Sequence, residues 1–298
     1  MMSSNKSAAK LHSKSRLDVV NKILVYAGLI IASLVVVLPF AIILITSFKS
    51  PVDAMSYDFT LIGKKDGATL QGYKELWNYV DYETGWPLVI RGFLNTMITS
   101  VVPTLVSLLV SALAAFAFSK IRFRLSNLFF NIIIFTMMIP GTILLVPHYS
   151  MYESFGWINT FTPLIVPGLF GGAGCIFFLR QFMFGIPDSL VEAGKIDGLS
   201  WVGIFFRLIV PLIVPALLAQ GLLMFIGHYN SYLGPYLYLQ DRKLFTLQLI
   251  VSNFNGFAAK NYPAIMSCCI LTMLPVLVLY VIFQKYFVEG IATSGMKL

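Results

Sequence analysis

The chain has 298 residues, 58% of them hydrophobic and 11% charged, with a mean hydropathy of +0.82 and a formal charge of +8. Soluble domains carry roughly 25% charged residues, so this composition excludes a soluble enzyme or binding module and requires a polytopic membrane protein. The basic residues are scattered beside apolar runs with no aromatic-interleaved basic face, which sets aside a nucleic-acid-binding module.

In chain order, residues 1–22 are rich in Ser and Lys and are expected to form an N-terminal tail. Apolar runs follow at 23–48, 93–118, 127–146, 162–183, 204–226 and 263–284. Each has about 20 residues or more, enough for roughly 30 Å of helix. The expectation is an all-α membrane protein with six transmembrane helices in one domain, 23–298. The first run is too long for a signal-peptide core and no small-residue cleavage site follows it, so it reads as an uncleaved anchor. With the N-terminus inside, the inner segments hold 13 Lys/Arg and five acids, whereas the outer segments hold eight of each. All the net charge then lies on one side, and the positive-inside rule makes both termini and the 187–203 stretch cytoplasmic.

The outer loop, 50–92, is long for a connector, and Gln71 to Val80 reads as a short helix with Leu76, Trp77 and Tyr79 available for packing. Thr96, Ser100, Thr104, Ser107 and Ser111 share one face of the second span. That stripe serves either close helix packing or the wall of a polar path. Pro140 is expected to kink or end the third span by removing a backbone donor. Gly168 and Gly172 make a Gly-x-x-x-Gly in the fourth, which most simply marks a close helix contact. His148 and His228 stand alone near the interfaces, as structural or interfacial residues. Cys175, Cys268 and Cys269 fall within spans without metal-ligand spacing and read as inert thiols. Gln220 is the one strongly polar residue of the fifth span.

Between the fourth and fifth spans lies the most informative stretch, 187–215. Ser189 followed by Glu192 reads as a capping box, so a short helix should start there. Asp197-Gly198 stops it, and Ser200 caps a second helix that enters the membrane. Glu192-Ala193-Gly194, then Asp197-Gly198, then Leu208 to Pro211 resemble the EAA loop in membrane subunits of ATP-binding-cassette (ABC) importers. Gly194 stands where that pattern usually has Ala, a change expected to weaken the helix by about 1 kcal/mol. Phe93-Leu-Asn95-Thr96, Ala114 to Arg124, Met137 to Gly141, Phe177 to Phe182, Phe283 to Gly290 and Gly295-Met-Lys297 are similar to stretches of carbohydrate-importer permeases. His228-Tyr229-Asn230 occupies the place of the family's usual Trp-Asn.

The resemblance, good over about 90–298, implies a type I ABC importer permease of the maltose-type second-permease group. It implies as partners a homologous second permease, two cytoplasmic ABC ATPase subunits, an extracytoplasmic solute-binding protein and a sugar, in a bacterial cytoplasmic membrane. Glu192, Ala193, Gly194, Asp197 and Gly198 would then couple to the ATPase. Asn95, Gln220, Tyr229 and Asn230 are candidates for the substrate pathway. Gly194-Lys195 is followed by Ile196 and no P-loop is present; the chain is expected to be no enzyme and to bind no cofactor, with ATP and Mg used by the partner ATPases. No predicted membrane core carries the ionisable group that ion-coupled transport usually needs. A secondary, ion-coupled carrier of small polar solutes is the alternative reading.

Overall fold

A computed structural model describes the backbone of residues 4–56, 60–257 and 261–295, and side chains over 19–56, 60–256 and 261–284. Met296 and Lys297 of the C-terminal stretch lie outside them. The described residues are helical apart from loops and two isolated bridges, Gly63 with Gly67 and Val80 with Pro87. Among the described residues, five helical stretches are long and apolar enough to span a membrane: Val19–Ser47, Leu88–Lys120, Thr162–Phe184, Trp201–Tyr229 and Tyr262–Gln284. The bent pair Ser126–Thr136 and Gly141–Ser154 makes a sixth when it is taken as one broken span. Two compact units result, Met1–Lys74 with Lys260–Ile270, and Glu75–Ala259 with Leu271–Leu298.

In the first unit, one helix runs Ser4–Ser47 and takes in residues 4–22 of the expected tail; Pro39 lies within it without ending it. Ser47 closes it, its hydroxyl donating to the Leu44 carbonyl at 2.7 Å and pairing with the Tyr73 hydroxyl at 3.0 Å. A short helix, Pro51–Ala54, follows, capped by Ser50, whose Oγ accepts the Asp53 N–H. Asp53 is buried, and its carboxylate accepts backbone N–H groups from Lys64, Lys65 and Asp66 at 3.1 to 3.4 Å. Burial pushes this carboxyl up, but the backbone N–H groups outweigh it and hold it below its ordinary value. The loop is thus wrapped around one side chain.

Gly72 lets the next helix, Gln71–Asn78, come against the backbone: a Cβ there would lie 2.6 Å from the Pro263 carbonyl oxygen and 2.8 Å from Ser267 Oγ. Because the first of these is rigid backbone, Gly72→Ala is expected to destabilise the fold by about 1–3 kcal/mol. Thermal unfolding of the detergent-purified protein checks this, and an unchanged midpoint refutes it. Along the same helix Leu76 is buried and so is Tyr79 just beyond it, but Trp77 points outward, contrary to the packing expected of it.

The second unit is built on the 33-residue helix Leu88–Lys120. Its Ser/Thr stripe is buried against other helices of the same chain. Ser111 Oγ accepts the Gly172 N–H at 3.0 Å, and a Cβ on Gly168 would lie 2.7 Å from Pro103 Cβ. The stripe is therefore a close-packing surface, and the Gly168/Gly172 pair is its counterpart. Ser100 and Thr104 hydroxyls are buried with no hydrogen-bond partner among the described residues. As Pro140 predicts, the third span stops, and the helical segments on either side of the break meet at 81°. The fourth breaks at Gly171, φ +86°, before resuming as Ala173–Phe184.

The fifth contains a π turn, Phe205–Ile209, ahead of Val210–Tyr229. Pro211 has no N–H and its ring crowds the carbonyl of the residue four before it, which the wider turn relieves. Ala112, Ala115 and Phe116 of the long helix share one buried core with Leu179, Met183, Ile204, Ile209 and Ile213.

Candidate functional site: the 187–203 loop

The short helix covers Asp188–Ile196, entered from Pro187 at φ −59°, ψ 137°. The expected capping box does not form: no side chain caps this helix, because Asp188 is already helical and Ser189 sits in the first turn rather than ahead of it. Asp188 is used differently. Lys120, at the end of the long helix, has a side chain only 2% exposed, and its Nζ donates to the Ile186 carbonyl at 2.5 Å and to Asp188 Oδ1 at 2.7 Å. The start of the loop helix is thereby clamped to the bundle.

Arg180 makes a second brace. Its Nε donates to the Phe118 carbonyl at 3.2 Å while its guanidinium lies 3.7 Å from the centre of the Phe130 ring and 4.5 Å from that of Phe184. Sequence reasoning counted Lys120 and Arg180 only as charges that set orientation. For Lys120 the available signal was its position in the last turn of an apolar helix, where a cation meets unpaired carbonyls.

Gly194 explains itself in the fold. It is buried, and a Cβ there would lie 2.7 Å from Leu208 Cδ1 and 3.2 Å from Ile204 Cγ1. Its effect is a closer seat for the helix, rather than the looser turn expected from propensity. Asp197 caps the C-terminus, and Gly198, at φ +79°, turns the chain; the Leu199 N–H returns to the Gly194 carbonyl at 2.9 Å. Ser200 then caps the next helix as predicted, its Oγ accepting the Gly203 N–H at 3.2 Å. Lys195 Nζ sits 4.0 Å from the centre of the Trp201 ring.

The consequence is a rigid helix with one bare face. Glu192, Ala193, Ile196, Asp197 and Gly198 are exposed, Ile196 to 86%.

The hydrogen bond from Lys120, with its charge and that of Arg122, holds the Asp188 carboxyl below its ordinary 3.8. A carboxylate lowered on folding stabilises the folded state above its unfolded value, and that contribution is lost as pH falls through the lowered value. Asp188 is largely exposed, so the effect is small and screened by salt. Amide exchange over 188–196 is expected to be flat between pH 5 and 8, after correction for the intrinsic rate, and to speed up only in stronger acid. Asp188→Asn should remove the acid-dependent part; acid-induced loosening that survives this substitution excludes the pair.

The pathway candidates lie toward the other end of the second unit. The Asn95 amide donates to the Lys243 and Phe245 carbonyls at 2.9 and 3.0 Å, and Thr96 Oγ1 accepts the Leu247 N–H at 2.7 Å. Tyr229 is buried with its hydroxyl donating to the Thr272 carbonyl at 2.9 Å. Asn230 is exposed and accepts from Gln248 at 3.2 Å, while Gln220 is half-buried in the fifth span. Asn95 and Asn230 thus meet neighbouring parts of the 243–248 segment, whereas Gln220 stands apart.

Asn159 adds a tie the sequence gave no hint of: in the left-handed region at φ 60°, its side chain accepts the N–H groups of Gln240 and Asp241. Nearby, Asp81, Tyr82, Glu83, Asp241, Arg242 and Lys243 border a polar cleft of about 340 Å³, where Lys243 pairs with Glu83 and Asp81 with Arg91. A separate groove of about 360 Å³ between the second, fifth and sixth spans is lined almost wholly by hydrocarbon, with none of the four pathway candidates in its wall.

A helical membrane bundle that carries a clamped, bare-faced helix between its fourth and fifth spans has the type I ABC importer permease fold. Its backbone superposes with a TM-score of 0.76 on a chain from the crystal structure of a bacterial ABC transporter involved in the import of the acidic polysaccharide alginate, at 23% identity over 92% of this chain and 98% of that one. Residues 107–293 match the family of binding-protein-dependent transport system inner membrane components, and the chain belongs to that family. It is 29% identical to the arabinooligosaccharides transport system permease protein AraQ of Halalkalibacterium halodurans, covering 91% of this chain and 94% of that protein. It is 32% identical to the lactose transport system permease protein LacG of Rhizobium radiobacter, over 70% and 75% respectively. The sn-glycerol-3-phosphate transport system permease protein UgpE of Pectobacterium atrosepticum is 29% identical over 95% and 99%. The chain is a multi-pass permease of the bacterial cytoplasmic membrane, and the ion-coupled carrier gives way to a binding-protein-dependent importer.

Proposed function

We propose that this permease forms half of the translocation pathway for an oligosaccharide or related sugar, paired with a homologous permease. Two ABC ATPase subunits, using ATP and Mg, dock on the 187–203 loop, and a solute-binding protein delivers the sugar on the opposite side. Both termini and the loop then face the cytoplasm, in keeping with the charge distribution along the sequence. Glu192 and Ile196 supply the contact to the ATPase, Ala193 and Gly198 allow close approach, and Gly194 and Asp197 fix the helix in place.

The observation that carries this reading is the bare face of a helix otherwise pinned by Lys120 and seated through Gly194. Closing the ATPase dimer would pull such a helix as a rigid lever and switch the pathway between its two openings. Among the pathway candidates, Asn95 and Tyr229 hold the wall through backbone carbonyls, leaving Asn230 and Gln220 as the groups able to meet sugar hydroxyls. The names of the relatives supply the substrate class: arabinooligosaccharides and lactose each belong to one of them.

Purification from the native membrane in mild detergent tests the proposal. A second permease and an ATPase should co-purify, with hydrolysis stimulated by a sugar-loaded binding protein. Recovery of the chain alone, under conditions that keep other importers intact, would falsify it.

A further inference from the structure

The segment just beyond the first span is folded tightly back on the span's end. The Thr69 N–H donates to the Phe48 carbonyl at 2.7 Å, and the Lys64, Lys65 and Asp66 amides all reach Asp53. Residues 61–69 are thus held within a few residues of Ser47, where the apolar helix stops. Close to that end the chain displays four apolar side chains, Val52, Met55, Leu61 and Ile62, the last two 68% and 64% exposed. Exposed Lys65 lies three residues beyond Ile62.

We infer that this loop is an interfacial lipid anchor: Leu61 and Ile62 enter the boundary between acyl chains and headgroups, and the nearby Lys65 meets lipid phosphates. An aliphatic tip followed by a long-stemmed cation matches the steep polarity change across that boundary. A watery protein-docking surface would not need an apolar tip tied by backbone hydrogen bonds to the residues that end a span. Asp53 is the organising residue, since its carboxylate holds three amides of the loop at once and so fixes which way the tip faces.

The test places a nitroxide at Ile62→Cys or at Asp66→Cys, in a background of Cys175→Ala, Cys268→Ala and Cys269→Ala. The permease, purified with its associated subunits, is reconstituted in phosphatidylcholine vesicles with and without phosphatidylglycerol. The label at 62 should be accessible to oxygen and shielded from a water-soluble nickel complex, and the label at 66 the reverse. Phosphatidylglycerol should deepen position 62. Equal nickel access at both positions overturns the anchor, and so does shielding of 62 that arises only when a solute-binding protein is added. Asp53→Ala should cost position 62 its shielding. If the cysteine-free background does not assemble, amide exchange over 61–65 in the unaltered protein decides: protection greater in vesicles than in detergent supports the anchor, and equal protection refutes it. None of these readouts depends on transport.

Discussion

Ile196→Asp and Glu192→Lys should each abolish sugar-stimulated ATP hydrolysis while the permease itself folds and inserts normally. Both side chains are exposed in the chain, so neither substitution disturbs its packing, and surface changes of this kind usually alter stability by less than about 0.5 kcal/mol. Within a docked complex the balance differs. An aliphatic side chain 86% exposed on a rigid helix fits the profile of an interface anchor, whose loss costs about 2 kcal/mol or more. That corresponds to roughly thirtyfold weaker docking, and an introduced carboxylate adds the cost of burying an unpaired charge. ATPase assays on the purified complex, with amide exchange to verify the fold, separate this from misfolding. Wild-type stimulation in both variants would mean that the bare face is not the contact.

Lys120→Met should uncouple the transporter by a different route. Its side chain keeps most of the stem's volume but gives up the charge-assisted hydrogen bond to the Ile186 carbonyl, worth about 1.5–3 kcal/mol, and a weaker, solvent-screened one to the largely exposed Asp188. The Ile186 carbonyl and the Asp188 carboxylate lose their shared partner, and the helix Asp188–Ile196 is released at its start. ATPase subunits should still bind, because the exposed face is unchanged, but their closure would move a loose element instead of a lever. Amide exchange over 188–196 should accelerate strongly in Lys120→Met and less in Asp188→Asn, with the double variant little worse than Lys120→Met alone. Unchanged exchange in Lys120→Met would remove the clamp from the mechanism.

The spans were legible because about 20 consecutive apolar residues leave few alternatives, and the loop's turn was legible because Asp197-Gly198 and Ser200 act through neighbours close in sequence. What escaped reading depended on distant partners. The Ser189/Glu192 pattern promised a cap, yet Asp188 is held by a lysine 68 positions away. Gly194 looked like a weak point from propensity alone; only the approach of Leu208 gives it a purpose. Asn95 was picked out as a polar residue at a span's mouth, and the carbonyls that occupy its amide lie about 150 positions downstream. Trp77 was assigned to packing along with its neighbour Leu76, although adjacent helical residues point about 100° apart.

The π turn at Phe205–Ile209 gives the fifth span one residue more than a regular helix of the same rise would hold. Residues before it belong to the phase of the loop, and residues after it to the phase of the membrane seam through Ile213, Ala216 and Tyr229. Against a relative without the turn, no gapless alignment can be right on both sides at once. Closing that one-residue gap would rotate everything beyond it by about 100°, carrying the Tyr229 hydroxyl away from the Thr272 carbonyl. The length of this segment is therefore constrained as tightly as its composition.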